Sequence, residues 1–334
     1  MTARMTTARA WRVHRYGSPE EALRLDTTDV PAPGPGEATV AVEAVGLNFP
    51  DLLLCAGRYQ ERPPLPFVPG FEAAGVVTAA GPGCSVREGD RVILVPELPG
   101  GAYREVATVP EEQIFPAPRG LDPVLAATLH IAHVTAHAAL HHRGGLRAGE
   151  WVLVTGGAGG VGSAAIGLAK AAGAQVVAAA TGAAKARACL EAGADAVVDL
   201  AERDDVVAAV RAATGGRGAD LVIENVGGAL FDAVRRCVAF EGRIVVVGFT
   251  SGAVPQVPAN HVLLRNYAVV GLHLAAYRRE EPATLRAIHA EVAALCEQGV
   301  AVPRLSRVLP FGRAPEALGL LARREAVGRV ALGL

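Results

Sequence analysis

Residues 151–185, WVLVTGGAGGVGSAAIGLAKAAGAQVVAAATGAAK, restrict the fold of this chain more than any other stretch. An apolar, β-branched run over 151–155 breaks into glycines at 156, 157, 159, 160 and 162, and an alanine-rich segment follows to position 172. That order predicts strand, turn and helix. Gly173 closes the helix and 175–180 supplies a second strand, making a βαβ crossover of about thirty residues. The spacing gives each glycine a separate role, with Gly157 for the tight turn, Gly159 for close approach of a pyrophosphate and Gly162 for packing of helix on strand. Backbone N–H groups at the helix start, on Gly160 and Val161, then face the phosphates, helped by the helix dipole. Glycine-rich turns that bind nothing are common, but a predicted strand before this one and a predicted helix after it favour a dinucleotide site.

A chain of 334 residues has room for two domains, each with its own core. The five cysteines, Cys55, Cys84, Cys189, Cys237 and Cys296, are far apart and odd in number, which argues against a disulfide framework and against a thiolate metal cluster. A reducing, cytoplasmic location is expected. With 32 basic against 33 acidic residues there is no electrostatic footprint for nucleic acid or an anionic membrane, so a small substrate is the expected partner. Arg4 and Arg9 near the start are followed by no apolar run, so neither secretory signal nor anchor is expected. The uncharged stretch 151–169 is long enough to cross a bilayer, but its six glycines and strand-turn-helix pattern favour a buried α/β core.

Residues 10–120 read as short strands and turns: strands at 10–14, 23–27, 38–45, 71–79 and 91–95, a turn-rich link over 30–36, and a short helix entered at Pro50 and ending near Gly57. From Leu121 the pattern changes. Asp122 and Pro123 begin a helix expected to run through His142 to an Arg143-Gly144-Gly145 stop. Strands at 151–155, 175–180, 196–199, 220–224, 243–247 and 267–272 then alternate with helices at 160–172, 183–192, 203–213 and 229–240, the signature of a parallel sheet covered on both faces. The tail from Pro282 gives a helix to Gln298, then strand, helix and a final strand at 328–332.

Several segments, in order along nearly the whole chain, then carry a family likeness: VGLNFPDLL at 45–53, PGFEAAGVV at 69–77, GDRV at 89–92, GGAGGVG at 156–162, VGF at 247–249 and AVGRVAL at 326–332. With these the chain resembles the zinc-independent quinone oxidoreductases, the zeta-crystallin-like branch of the medium-chain dehydrogenase/reductase superfamily. The resemblance implies a Rossmann domain, a doubly wound parallel sheet over 126–267, inserted into a GroES-like irregular antiparallel β domain formed by 1–125 and 268–334. It implies an active site in the cleft between the two and a homodimer paired through the edge strand near 267–272. Zinc alcohol dehydrogenases of the superfamily carry a Cys and a His as catalytic ligands where this chain has Asn48 and Phe71, and the four-cysteine structural zinc loop is missing. No metal is therefore expected. Hydride addition to an already electrophilic quinone or α,β-unsaturated carbonyl needs none.

The same resemblance nominates site residues. Asn48 is placed to bond the nicotinamide ribose or the substrate carbonyl, or else to pin the turn before Pro50. Asp51 either caps the short helix or reaches the cleft. Tyr59 matches an active-site tyrosine of quinone and enoyl reductases, able to donate a proton or hydrogen bond to the developing enolate, and is otherwise a loop tyrosine. Thr135 falls at the nicotinamide end; Asn225, Gly248, Phe249 and Thr250 stand at carboxyl ends of predicted strands, where ligands collect or loops simply pack. Arg324 aligns with an arginine turned toward the cofactor phosphates. NADPH is the expected cofactor: no acid occurs between Lys170 and Cys189 to repel a 2′-phosphate, Thr181 and Gly182 open a small polar loop, and Lys185 matches a phosphate-binding lysine, although a tyrosine common in the family is Leu200 here.

Five of the nine histidines crowd into LHIAHVTAHAALHH, 129–142. On an α-helix His130, His133, His137 and His141 would share one face, fit for a metal only with further ligands, and otherwise buried or solvated. His133 replaces a small residue and lies close enough to Thr135 in sequence to meet substrate. Besides reduction of a quinone or enone, two readings stay open: an enoyl-thioester reductase of lipid or polyketide metabolism, with Arg58, Arg278 and Arg279 at its mouth, and a non-catalytic NADPH-binding sensor or scaffold.

Overall fold

The computed structural model describes residues 6–202 and 205–334. The chain forms two compact units, one from residues through Ile131 together with Pro303–Leu334, the other Ala132–Val302.

In the first unit β1 (Thr6–Val13) and β2 (Leu23–Val30) pair antiparallel. β3 (Glu37–Leu47), β4 (Glu72–Ala80), β5 (Arg91–Leu94), β6 (Val106–Pro110) and β7 (Ile114–Pro116) build an antiparallel sheet around β3, which pairs with both β4 and β6. β3 alternates buried and half-buried residues along its first half and is then buried from Ala44 to Leu47, so its inward Val40, Val42, Val45 and Leu47 anchor the core. The short β6 and β7 were not anticipated, because their few apolar residues adjoin prolines.

The second unit contains β8 (Trp151–Thr155), β9 (Gln175–Ala180), β10 (Ala196–Asp199), β11 (Ala219–Glu224), β12 (Val238–Val246) and β13 (Ala268–Gly271). They form one six-stranded sheet in the order β10-β9-β8-β11-β12-β13, every pair parallel. The order reverses direction between β8 and β11, and the crevice over the carboxyl ends of those two strands is where such sheets bind ligands. The chain ends with β14 (Leu305–Pro310) and β15 (Arg329–Gly333), which add to the first unit's sheet, β15 antiparallel to β3.

Several boundaries differ from the sequence reading; residues 126–131, expected in the second domain, belong to the first unit. Residues 268–302 belong to the second unit and not to the first, since β13 pairs with β12 and the helix Pro282–Glu297 follows within the same unit. The helix expected over 229–240 stops at Val234, and β12 starts at Val238. The segment 123–143 is not one α-helix: an α turn at Pro123–Ala126 gives way to wide π turns at His130–Val134 and Ala138–Arg143, separated by Thr135–His137. From Thr128 to Leu140 every residue except Ile131 is buried. With no exposed face there is no amphipathic period by which an α turn and a wider turn could be told apart. The helix expected over 203–213 is seen at Val206–Ala213; its first expected residues, 203 and 204, lie outside the described ones, as does Arg4. No helix is long and apolar enough to cross a membrane among the described residues.

Candidate active site

In the second unit the glycine turn after β8 opens the helix Gly160–Ala171. The left-handed residue is Gly156, at φ +61°, so the tight turn belongs to Gly156 and not to Gly157. Gly157 is required for another reason: a Cβ there would stand 2.9 Å from Cys189 Sγ and 3.0 Å from Ala178 Cβ. Gly162 does pack the helix against the turn, since its Cβ would fall 2.2 Å from the Gly156 carbonyl oxygen. Gly159 caps the helix and is exposed, and a Cβ there would meet only the Gly156 oxygen at 3.3 Å. Intrahelical bonding starts with Ser163 N–H donating to the Gly159 carbonyl, so helix geometry leaves the N–H groups of Gly160, Val161 and Gly162 aimed out of the helix start. A cradle lined by backbone donors and kept clear of side chains suits a pyrophosphate.

Asn225, Gly248, Phe249 and Thr250 are brought together beyond β11 and β12. Asn225 donates its amide N–H to the Thr155 carbonyl at 2.8 Å, tying the end of β11 to the end of β8, and its own carbonyl accepts from Thr250 N and Oγ1 at 3.1 and 3.0 Å. Glu224, fully buried, holds the adjoining turn by accepting from Val226 N and Gly227 N; burial raises its pKa. At the end of β9, Thr181 is exposed and Lys185 half-buried one turn into the helix Ala183–Glu191. An acid does stand here: Asp199, at the end of the neighbouring β10, accepts from Gly182 N at 2.7 Å and Ala201 N at 3.0 Å, and these bonds lower its pKa. Counting forward along β9 passes it by, because strand pairing and not chain order places it beside the loop.

His133 and Thr135 are buried in this unit. The π turns break the single histidine face: His137 and His141 lie 4.6 Å apart with their rings tilted at 46° and His137 Nε2 3.2 Å from Glu291 Oε2, His142 meets Tyr277 edge to face, and His130, in the first unit, packs on Phe115 at 4.4 Å. Burial, with His141 adding to it, lowers His137 to about 4.

In the first unit Asn48 precedes the helix Phe49–Cys55 and is 4% exposed. Its amide is fixed at both ends: Oδ1 accepts from Arg329 Nη1 at 2.9 Å, and Nδ2 donates to Glu72 Oε1 at 3.0 Å. Arg329 and Glu72 are themselves an ion pair, and Glu72 Oε2 accepts from Ile131 N at 2.9 Å. Burial raises Glu72, with Arg329 opposing. Asp51 turns back to accept from Asn48 N at 2.8 Å, as a helix cap does, and accepts from Tyr103 Oη at 2.9 Å. Full burial pushes Asp51 up to about 7, so it does not open onto solvent as an ordinary acid. Held in this sense, the Asn48 amide keeps one acceptor lone pair on Oδ1 and one N–H bound only at 3.5 Å to the Gly46 carbonyl.

Tyr59 is half-buried and packs edge-on to Phe71, ring centroids 5.3 Å apart. Burial, with Glu61 and Asp51 adding to it, pushes its phenol to about 12. Arg324 is exposed, in left-handed backbone at φ +57° just beyond the helix Ala314–Ala322. Sequence reasoning passed over Glu72, Arg329, Tyr103, Glu224 and Asp199. Glu72 and Arg329 each interrupt an otherwise apolar strand in the family-like segments, the one signal that foretells a buried partner of opposite charge.

Comparison with known proteins accords with this geometry. Residues 34–119 match the alcohol dehydrogenase GroES-like domain and residues 160–290 the zinc-binding dehydrogenase domain. The chain is 37% identical, over 90% of its length and 86% of the relative's, to quinone oxidoreductase-like protein 2 of Bos taurus, and 36% identical, over 90% and 82%, to the quinone oxidoreductase-like protein 2 homolog of Nematostella vectensis. The chain belongs to the zinc-independent quinone oxidoreductase-like family of the medium-chain dehydrogenase/reductase superfamily. Among solved structures, mycobacterial Rv1454c complexed with NADPH superposes with a TM-score of 0.90 at 32% identity, covering 98% of this chain and all of that one. As a member of this family the chain is an oxidoreductase. The domain name notwithstanding, its residues do not fit a catalytic zinc. Phe71 has no donor atom, the Asn48 amide is committed to Arg329 and Glu72, and no group of three or more His, Cys, Asp or Glu placed to hold a metal occurs among the described residues.

Proposed function

We propose that this protein is an NADPH-dependent reductase that adds hydride to a quinone or another α,β-unsaturated carbonyl without a metal. The observation that carries the reading is the pairing of an open glycine cradle in one unit with Asn48 and Phe71 at the zinc-ligand positions of the other. NADPH, when bound, supplies the hydride. Gly157, Gly159, Gly160, Val161 and Gly162 cradle its pyrophosphate, Thr181 and Lys185 receive the 2′-phosphate, and Thr135, Asn225, Gly248, Phe249, Thr250 and Arg324 complete its binding. Asn48, fixed by Arg329 and Glu72, orients the reacting end, Asp51 holds Asn48, and His133 lies near Thr135 on the substrate side. Tyr59, its phenol raised to about 12, stays protonated at neutral pH and so can donate a hydrogen bond or its proton to the developing enolate, with water as the other proton source. NADPH oxidation measured against quinones, enones and enoyl thioesters tests the proposal. Turnover confined to enoyl thioesters would replace it with the lipid or polyketide reading, and none at all would favour a sensor or scaffold.

The cofactor assignment makes a separate prediction. Lys185→Ala should raise the KM for NADPH about tenfold, the worth of one charge-assisted hydrogen bond, and leave NADH use nearly unchanged. Asp199→Asn keeps the acceptor for Gly182 N and removes the charge, so it should increase the preference for NADPH. Equal changes with both cofactors in Lys185→Ala would show a structural role for the lysine.

A homodimer formed through the second unit is also proposed. β13 is the sheet's edge, the nearby helix Ala259–Arg265 buries no residue, and Leu263 and Leu264 are each 75% exposed. An unpaired edge flanked by exposed leucines is a surface that proteins cover. Light scattering is expected to give twice the chain mass, and Leu263→Lys with Leu264→Lys to give a monomer; a monomeric wild type at micromolar concentration would refute the pairing.

A further inference from the structure

We infer that Asp51 is a positioning residue that holds a proton behind Asn48, and that when this proton leaves, the charge left beside Asn48 slows the reaction. The consequence for the reaction rests on the reductase reading above; the place of the proton does not.

Charge balance puts the proton in this cluster. Asp51 and Glu72 are fully buried and Arg329 is nearly so, and all three bind Asn48. Asp51 accepts from its backbone N–H, Glu72 accepts from Nδ2, and Arg329 donates to Oδ1. Two carboxylates against one guanidinium would leave an uncompensated buried charge, which a carboxyl relieves by taking up a proton.

The donors decide which carboxyl takes it. Glu72 is paired with Arg329 and also accepts from Asn48 Nδ2 and from the backbone N–H groups of Ile131 and His130. Asp51 has two neutral donors, Asn48 N at 2.8 Å and Tyr103 Oη at 2.9 Å, both on Oδ2, and its Oδ1 has no partner among the described residues. Hydrogen bonds and an opposite charge favour the ionised form at Glu72 far more than at Asp51, so the proton resides on Asp51. Burial raises both carboxyls; Arg329 is the foremost influence opposing it at Glu72 and the least at Asp51, which rises to about 7. No other ionised group compensates. Burial pushes Cys55, in the same helix, and Tyr59 each to about 12 and raises Tyr103 as well, so all three stay neutral.

Reduction of a conjugated carbonyl builds negative charge on its oxygen, and a carboxylate bonded to the Asn48 backbone opposes that charge. An ionised Asp51 also competes for Arg329, whose Nε donates to no described residue, and so loosens the guanidinium that orients the Asn48 amide.

Asp51→Asn tests this, since it keeps an oxygen for the Asn48 and Tyr103 donors and cannot titrate. The first readout is stability. A carboxyl whose folded value, about 7, lies above its unfolded value of about 3.9 stabilises the fold fully below the unfolded value, and that stabilisation is lost as pH rises through the folded one. The melting temperature of wild type minus that of Asp51→Asn should therefore fall from about pH 4 to about pH 7 and level off above; a flat difference overturns the inference. The second readout is kcat/KM for 1,4-naphthoquinone with NADPH. Wild type should lose about tenfold from about pH 7 to about pH 9 while Asp51→Asn stays level, whereas a purely structural role would lower the variant equally at every pH. The same alkaline fall in both proteins overturns the link to the reaction. If Asp51→Asn does not fold, Tyr103→Phe removes one donor to the carboxylate and should move the fall in stability and in rate up by about one pH unit; a fall that stays in place overturns the inference. A protein that reduces no quinone, enone or enoyl thioester fails the reductase reading, and the melting temperatures then decide the Asp51 proton by themselves.

Discussion

Replacing Arg329 with leucine is expected to cost the first unit about 3–5 kcal/mol of stability, the usual penalty for removing one partner of a buried ion pair. Glu72 is fully buried, and without the guanidinium it keeps Asn48 Nδ2 and the backbone N–H groups of Ile131 and His130 as donors. The Asn48 amide also loses the donor that fixes its orientation. Burial already raises the Glu72 pKa against the opposition of Arg329, so removing the guanidinium should raise it further and favour the protonated carboxyl. Chemical denaturation followed by circular dichroism would show an early transition for Arg329→Leu. Adding Glu72→Leu should restore much of the loss, since a buried pair exchanged whole for apolar residues is often neutral or better. Such a double variant would fold but hold Asn48 loosely, so kcat should stay low after stability returns. A single variant as stable as wild type would show that the pair holds nothing.

Two alanine substitutions in the glycine turn should have separable effects. In Gly162→Ala the new Cβ would meet backbone, the Gly156 oxygen at 2.2 Å and Gly157 Cα at 2.8 Å, so the turn must open. Opening the turn takes the backbone donors away from the pyrophosphate, so NADPH affinity by fluorescence titration should fall by about tenfold or more, together with the melting temperature. Gly159→Ala meets only one oxygen at 3.3 Å and lies at an exposed cap, so the fold should tolerate it while the methyl group obstructs the phosphate approach. Its melting temperature should stay close to wild type and its affinity should still drop. If Gly159→Ala bound NADPH normally, the pyrophosphate would have to lie elsewhere.

Sequence alone determined the second unit's parallel sheet. β8, β9 and β10 begin and end where the reading put them, because each is a short apolar run bounded by glycine or a polar turn, β8 and β9 buried on both faces and β10 half-buried at the edge. The glycine spacing likewise announced the turn, although it did not tell which glycine takes the left-handed conformation, Gly156, and which is needed for close packing, Gly157. Asn48 and Phe71 were legible as departures from a zinc site because they sit in contiguous motifs.

Tertiary structure decided the rest. The partners that orient Asn48 are 24 and 281 residues away, and the charge of Arg329 reads as an interruption of a strand until folding sets it against Glu72. Asp199 reaches the loop after β9 only through the pairing of β10 with β9, and the wide turns at 130–143 arise in a stretch so buried that its pattern has no period to read. Periodicity records which way a residue faces its own element's core; it carries no record of which distant charge or strand end will be folded against it, and in this chain those distant contacts orient the candidate site.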